Sequence, residues 1–452
     1  VAQTVSPQWK EKHAANDQYR LVLVIVNILL IIAIYIEYEL FMSKPQPLYP
    51  TRAELIDMSL TDYPQLSGYL STQEHWAQSH WDWGDQFLRY IGRNKSEHTY
   101  VRFRNEVERF LLWAFLVKEM PIDTFKKGDV LEYADFCWKP PVSWIGTANE
   151  DRFIINENGF IKSNKKWRPF KMQAPKAQQD KAVDKKKYRP SQQTLSATFT
   201  AITAFYRYLM DEDITPGNPA QLAKKDCRHL LADSQVNEVK RLSEEQWQFL
   251  LDTASEMANS NSNYERNLFL VAILKTLFLR ISELSERESW SPTMGHFWQD
   301  ESDNWWLKIF GKGRKIRDIT VPQDFLPYLE RYRTYRNLSF LPTSNEQSPL
   351  IEKLRGQGSM SSRHLSRLIQ EVFEKAYIRM KSSVGPKKAQ KLKEASTHWL
   401  RHTGASMEIE RGRALKDLSE DLGHASMSTT DTIYVQTEHK KRADSGKARK
   451  VK

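Results

Sequence analysis

Five short strings between residues 279 and 434 hold the arginine, lysine, histidine and tyrosine side chains that stand out as candidates for chemistry. The first is Leu279-Arg280-Ile281-Ser282-Glu283-Leu284, at the end of an apolar run in which Leu270, Ile273, Leu274, Leu277, Phe278 and Ile281 surround Arg280. An arginine inside such a helix must find a partner or face a cleft, because an unpaired buried charge is very costly. Taken alone, an ion pair with Glu283, three residues on, accounts for it. The second is Lys312, at the tip of a turn, where a lysine is ordinarily just solvated; in a DNA enzyme it can reach into a groove and donate a proton. The third is His398-Trp399-Leu400-Arg401, whose i, i+3 spacing puts His398 and Arg401 on one helix face. In the fourth, Leu422-Gly423-His424, the glycine can end a short helix and present His424 beside it. The fifth, Ser428 to Tyr434, ends on a tyrosine that would most often be core packing. Each string alone has a plain structural reading, but their order along one stretch of chain does not.

The elements that must hold these strings can be read in outline. Ser243 with Gln246 forms a capping-box signature that opens a helix, so a second domain is expected over 243–439. It reads as helical except for Trp305–Phe310 and Lys315–Val321, two short strands around Gly311-Lys312-Gly313, a hairpin signal. Upstream, Tyr100, Phe103, Val107, Phe110, Leu111 and Ala114 recur at helical spacing, so Ser96 to Trp138 reads as helical, ended by Pro140 and Pro141. Leu195, Phe199, Ile202, Phe205, Tyr206 and Leu209 predict another helix from Ser191 to Met210. The expected fold is mainly α with a small β-hairpin (α+β). A helical domain spans 96–225 with a basic insertion at 140–190, followed by a linker at 226–242. Residues 42–95 form an N-terminal region of uncertain fold, and 440–452 a basic tail.

Lysine and arginine total 67 against 56 acidic residues, a net charge of +11. That sign is typical of proteins that touch phosphate backbones. The insertion concentrates it: Lys165, Lys166, Arg168, Lys185, Lys186 and Lys187, with Trp167, Phe170 and Tyr188 interleaved, read as a loop contacting DNA backbone. The alternative is a solvated insertion. Lys387 and Lys388, shortly before His398, are a second candidate contact, with a solvated loop as the alternative. The two cysteines, Cys137 and Cys227, make neither a zinc pattern nor a disulfide framework, which suits a reducing cytoplasm and no structural metal. There is no Walker loop and no carboxylate cluster of two-metal type. Leu21 to Ile36 is apolar but shorter than the ~20 residues of a spanning helix. Its flanks, basic before and acidic after, would put the rest of the chain outside the cell, away from DNA. Residues 1–41 are therefore read as an apolar extension upstream of a start at Met42, and membrane attachment is not expected.

Arginine, lysine, His-x-x-Arg, Gly-His and tyrosine, in that order, resemble the catalytic set of the tyrosine recombinase (phage integrase) family. The resemblance covers roughly Leu242 to Glu438; more weakly, the helical region before it resembles the family's core-binding domain. It implies a core-binding domain and a catalytic domain forming a clamp on DNA. It also implies that Tyr434 attacks the scissile phosphate to give a 3′-phosphotyrosine, while Arg280 and Arg401 neutralise the transition state. His398 would be the base, Lys312 the acid for the leaving 5′ oxygen, and His424 a hydrogen-bond donor to a non-bridging oxygen; Glu283 would support Arg280. No metal, ATP or other cofactor is implied. The implied partners are double-stranded DNA, copies of this chain (a tetramer in the synapse, a monomer or dimer when free), and accessory DNA-bending or directionality proteins. The role would be integration, excision or transposition of a mobile element at the nucleoid.

Two departures from the pattern stand out. Phe278 lies two residues before Arg280, where the family more often has glycine, so the backbone there is expected to pack differently. Tyr434 lies one residue farther from His424 than is usual, a rotation of about 100° on a helix, which a loop must absorb. The alternatives are a type IB topoisomerase, which shares the tyrosine chemistry, and a non-catalytic DNA-binding regulator derived from a recombinase.

Overall fold

A computed structural model of the chain describes residues 44–57, 59–155, 157, 159–173, 183–230, 240–287, 290–311, 315–356, 358–424 and 447. The chain divides into two compact units, Val1–Asp233 and Ser234–Lys452. Among the described residues no helix is long and apolar enough to cross a membrane; the apolar run at 21–36 lies outside them.

The first unit is built on helices α1 (Arg52–Asp57), α2 (Pro64–Ser71), α3 (Ala77–Asn94), α4 (Glu97–Trp113), α5 (Lys127–Trp138), α6 (Gln192–Asp211) and α7 (Pro219–Asp226). Ser96 caps α4 through its side chain, and Ser191 caps α6, each satisfying an otherwise orphaned N–H of the first turn. The helical segment expected over 96–138 is two helices. A π turn at Ala114–Lys118 ends on Glu119 at φ 51°, and Pro121 cannot donate the hydrogen bond that would continue a helix. Residues 45–94 are not a separate region: Leu48, Tyr49, Leu66, Trp81, Phe87 and Ile91 share one core with Phe110, Phe205 and Leu209.

The basic insertion folds onto that core. Strands β1 (Ile145–Gly146) and β4 (Phe170–Lys171) pair in parallel, and β2 (Phe153–Ile155) pairs antiparallel with β3 (Ile161–Ser163). Trp167 and Phe170 are buried, with the Arg152 guanidinium over the first ring and that of Arg109 over the second. Two of the three interleaved aromatic residues are therefore core, and Tyr188 packs partly buried against them. Residues 174–182 lie outside the described residues.

In the second unit, α8 (Glu244–Ser260) opens on the reciprocal Ser243–Gln246 capping box. Helix α9 (Glu265–Thr276) is buried along almost its whole length, as suits a helix apolar on every side. Around it lie α10 (Leu326–Tyr335), α11 (Ser362–Val384), α12 (Pro386–Glu394), α13 (Thr397–Glu410) and α14 (Leu415–Leu422). Strands β5 (Phe297–Gln299), β6 (Trp305–Phe310) and β7 (Ile316–Val321) form an antiparallel sheet in that order. β6 and β7 are the expected hairpin; β5 adds a strand that sequence reading did not foresee. A small second cluster, Phe278, Ala405, Ile409, Leu418 and Leu422, packs α13 and α14 against the chain leaving α9.

Candidate active site

Helix α9 stops at Thr276, so Arg280 is not inside it. Phe278 adopts φ 51°, a left-handed conformation that glycine takes freely and an aromatic residue takes at a cost. The backbone thus has the shape a glycine would give, and the ring is accommodated in the small cluster. Beyond this break Arg280 is extended, at φ −79° and ψ 140°, and caps a 3-10 turn, Ile281–Glu283. Its backbone N–H donates to Glu283 Oε2 at 2.8 Å and its Nη1 to Oε1 at 3.2 Å. The anticipated Arg280–Glu283 pair exists, formed across a turn.

Helix α13 brings in His398 and Arg401. Gly404 lets α13 approach α9 closely, since a Cβ there would lie 2.0 Å from the Lys275 carbonyl oxygen. The Arg401 guanidinium is only 1 % exposed. It is held by backbone carbonyls: Nη1 donates to Phe278 O at 2.5 Å and Nη2 to Leu422 O at 2.6 Å. Arg280 Nη1 also donates to Leu422 O, at 3.4 Å. The last carbonyl of α14 therefore gathers both guanidinium groups, as suits the negative end of a helix.

Gly423, left-handed at φ 61°, ends α14 and turns the chain so that His424 faces this pair. Arg401 Nη2 lies 3.2 Å from His424 Nε2. A guanidinium only donates, so Nε2 accepts and the ring proton belongs on Nδ1. Burial, then the charges of Arg401, Arg280 and Arg317, push the His424 pKa down to about 4. Burial and the same two catalytic-set arginines also hold His398 below the ordinary histidine range. Its ring meets that of His402 edge-on, 4.3 Å between centroids. The site is a patch of guanidinium and imidazole groups with one buried carboxylate, Glu283, beneath it, an arrangement that favours an anion.

Arg280 pairs with Glu283 and Arg401 with His424, the two pairs meet at Leu422 O, and His398 lies on the same helix as Arg401. Lys312 and Tyr434 lie outside the described residues. The candidate DNA contacts are scattered. Lys165 and Lys166 are exposed on a turn; Arg168 is committed to the Lys165 and Trp167 carbonyls at 2.7 and 2.6 Å. Lys185–Lys187 form a 3-10 turn capped by Asp184. Lys387 and Lys388 lie on α12 rather than in a loop, and Lys388 pairs with Glu245 at 3.2 Å.

Two features were missed from sequence. Arg317 on β7 grips Glu283 with both Nη atoms, at 2.9 and 3.1 Å. Its signal was the alternation Arg317–Ile319–Val321, which places an arginine in the inward row of a strand. The second is a groove of about 1450 Å³ beside the N-terminus of α11, where Arg266, Arg287, Lys353, Arg355 and Arg367 face Glu286, Glu371 and Glu374. Its residues come from three separate segments, so no local pattern announces it.

Comparison with known proteins agrees with this geometry. Residues 240–441 match the family model of the phage integrase family. Over 258 residues, 57% of this chain and 71% of its relative, the sequence is 28% identical to tyrosine recombinase XerC of Leptospira interrogans serogroup Icterohaemorrhagiae serovar copenhageni. Over 241 residues, 52% of this chain and 69% of the other, it is 29% identical to tyrosine recombinase XerD of Oceanobacillus iheyensis. Among solved structures, the XerH site-specific recombinase in a post-cleavage complex with palindromic difH substrate matches with TM-score 0.53 and 13% identity, covering 88% of this chain and 93% of that one. That likeness is one of fold. The family match falls entirely within the second unit, the one that carries Arg280, Glu283, Arg401 and His424. The chain is similar to tyrosine recombinases, most clearly over its second unit.

Proposed function

We propose that this protein is a site-specific recombinase that cuts and rejoins double-stranded DNA through a 3′-phosphotyrosine at Tyr434, serving integration, excision or transposition of a mobile element. The observation that carries the reading is the meeting of Arg280 Nη1 and Arg401 Nη2 on one oxygen, Leu422 O. Two guanidinium groups that reach one carbonyl oxygen can reach adjacent oxygens of one phosphate, matching it with planar forks. They would neutralise the charge that builds on phosphorus as Tyr434 attacks. A phenol has a pKa of ~10, and the same positive field favours its deprotonated form; His398, held neutral, takes the proton. Lys312 returns one to the leaving 5′ oxygen. His424 turns its ring proton from Nδ1 to Nε2, or takes up a second, to donate to a non-bridging oxygen.

The covalent linkage keeps the bond energy, so rejoining proceeds without ATP, and the guanidinium groups take the part a metal ion would play. Each unit contributes contacts to the duplex. Lys165, Lys166, Lys185–Lys187, Lys387 and the basic groove beside α11 meet backbone phosphates. Four copies assemble on two sites, with accessory proteins bending the DNA or setting direction. Cys137 and Cys227 are buried free thiols, which suits a reducing cytoplasm.

The test uses nicked suicide duplexes taken from the ends of the element that encodes the protein. Wild type should trap a covalent DNA adduct and Tyr434→Phe none. No adduct on any cognate end would favour a non-catalytic regulator, and relaxation of any supercoiled plasmid a topoisomerase.

A further inference from the structure

Arg317 occupies an inward position of β7. Its cross-strand partner on β6 is Ile309, which is fully buried, and the next inward residues of β7, Ile319 and Val321, are core. A charge in that row is tolerated only when fully partnered. Among the described residues, every hydrogen-bond partner of Arg317 belongs to the candidate site. Nη1 and Nη2 donate to the two oxygens of Glu283 at 2.9 and 3.1 Å, and Nε donates to the Asp421 carbonyl at 2.9 Å. Two glycines leave the room it needs: a Cβ on Gly311 would lie 2.9 Å from Nη1, and one on Gly423 2.9 Å from Nε. One guanidinium therefore joins the base of the hairpin that bears Lys312, the carboxylate under Arg280, and the turn that presents His424.

The electrostatics give this junction a purpose. Glu283 is fully buried. Burial alone would raise its pKa, but the hydrogen bonds and charge of Arg317, then the Arg280 N–H, outweigh that and hold it below the usual carboxylate range. A buried carboxylate with Arg280 as its sole cation would draw that guanidinium down onto itself. With Arg317 bound to both oxygens, Arg280 keeps one side-chain contact to Glu283, at 3.2 Å, and stays 29 % exposed.

We propose that Arg317 is a positioning residue for phosphate binding. By neutralising Glu283 it leaves the Arg280 guanidinium available to an anion, and by holding the Asp421 carbonyl it fixes the Gly423 turn. The inference rests on reading the site as one that grips a DNA phosphate.

The test compares wild type, Arg317→Gln, Arg317→Lys and the double variant Glu283→Gln/Arg317→Gln as full chains. Inorganic phosphate is titrated in and followed by the histidine ring resonances; adduct formation on suicide DNA is measured alongside, with thermal unfolding as the control for folding. Arg317→Gln should bind phosphate about tenfold more weakly, the order seen when an orienting partner behind a site is lost. Adduct formation should slow about 100-fold while duplex affinity changes little. Removing the buried charge as well should recover most of the phosphate affinity, a rescue that simple loss of structure would not give. If Arg317→Gln does not fold, Arg317→Lys decides, because it keeps the charge but cannot span both carboxylate oxygens and should fall between the two. Wild-type phosphate affinity in either folded single variant, no recovery in the double variant, or no phosphate binding by wild type overturns the proposal. Phosphate binding that follows the predicted order with no adduct from wild type supports the role of Arg317 and instead sinks the proposed recombination activity.

Discussion

Replacing Phe278 separates two opposing terms at the entrance to the active site. Its ring is 3 % exposed and packs with Ala405, Ile409, Leu418 and Leu422, while its backbone sits at φ 51°. Deleting a buried phenylalanine ring costs about 3–5 kcal/mol. The left-handed conformation costs a side-chain-bearing residue about 1–2 kcal/mol, which glycine does not incur. Phe278→Gly should therefore lose about 1–4 kcal/mol, and Phe278→Ala about 1–2 kcal/mol more, because it makes the cavity and keeps the strain. For a unit of this size that predicts a melting temperature lower by about 2–16 °C for the glycine variant, at roughly 2–4 °C per kcal/mol. Differential scanning calorimetry of the three full chains reads the order directly. An alanine variant as stable as the glycine variant would refute the strain argument, and a glycine variant more stable than wild type would refute the packing argument.

Three further outcomes follow from the same geometry. Gly404→Ala drives a methyl to 2.0 Å from the Lys275 carbonyl oxygen; overpacking of this kind costs about 1–3 kcal/mol, and pushing α13 away from α9 should slow adduct formation by more than the loss of folded protein explains. Arg401→Lys keeps the charge but loses the fork that spans Phe278 O and Leu422 O, so single-turnover cleavage should fall about 10²–10³-fold with duplex affinity little changed; a rate within tenfold of wild type would count against it. His402 and His424 both have their pKa lowered, chiefly by burial, to about 4 from 6.5. As pH falls below 6.5 the unfolded chain takes up protons before the folded one does. The stability is fully present above that pH and is lost between 6.5 and 4, at up to about 1.4 kcal/mol per pH unit per histidine before solvent screening reduces it. Urea unfolding at pH 7.5 and pH 5 should show the loss, and equal midpoints would contradict it.

Much of this architecture was legible where local chemistry agreed with the tertiary structure. The helices at Gln192–Asp211 and Glu244–Ser260 announced themselves through regular apolar spacing and side-chain caps. Helix α3 did not: it starts at Trp76 without a side-chain cap, and it buries His80 and Gly84 beside its apolar residues. β5 is three residues long, too short to show alternation. That Trp167 and Phe170 of the insertion are core was not legible, because a Trp beside lysines looks the same in sequence whether it faces solvent or packs inward. At the site, the residue types could be read from order alone. What holds them could not, since Arg401 is fixed by the carbonyls of Phe278 and Leu422, and backbone oxygens leave no mark on a sequence. The Gly-to-Phe departure at position 278 was visible. That the chain keeps a glycine-like φ beneath a phenylalanine ring depends on a cluster drawn from α13 and α14, some 130 residues away in sequence.

In the proposed reaction one phenolic oxygen, brought to two guanidinium groups, becomes joined to DNA. Trapped adduct from wild type and a suicide duplex, digested with nuclease and protease and mapped by mass spectrometry, tests it most directly. One modified peptide is expected, with the nucleotide attached through its 3′ phosphate to Tyr434. A nucleotide on any other residue, or one attached through its 5′ phosphate, would contradict it.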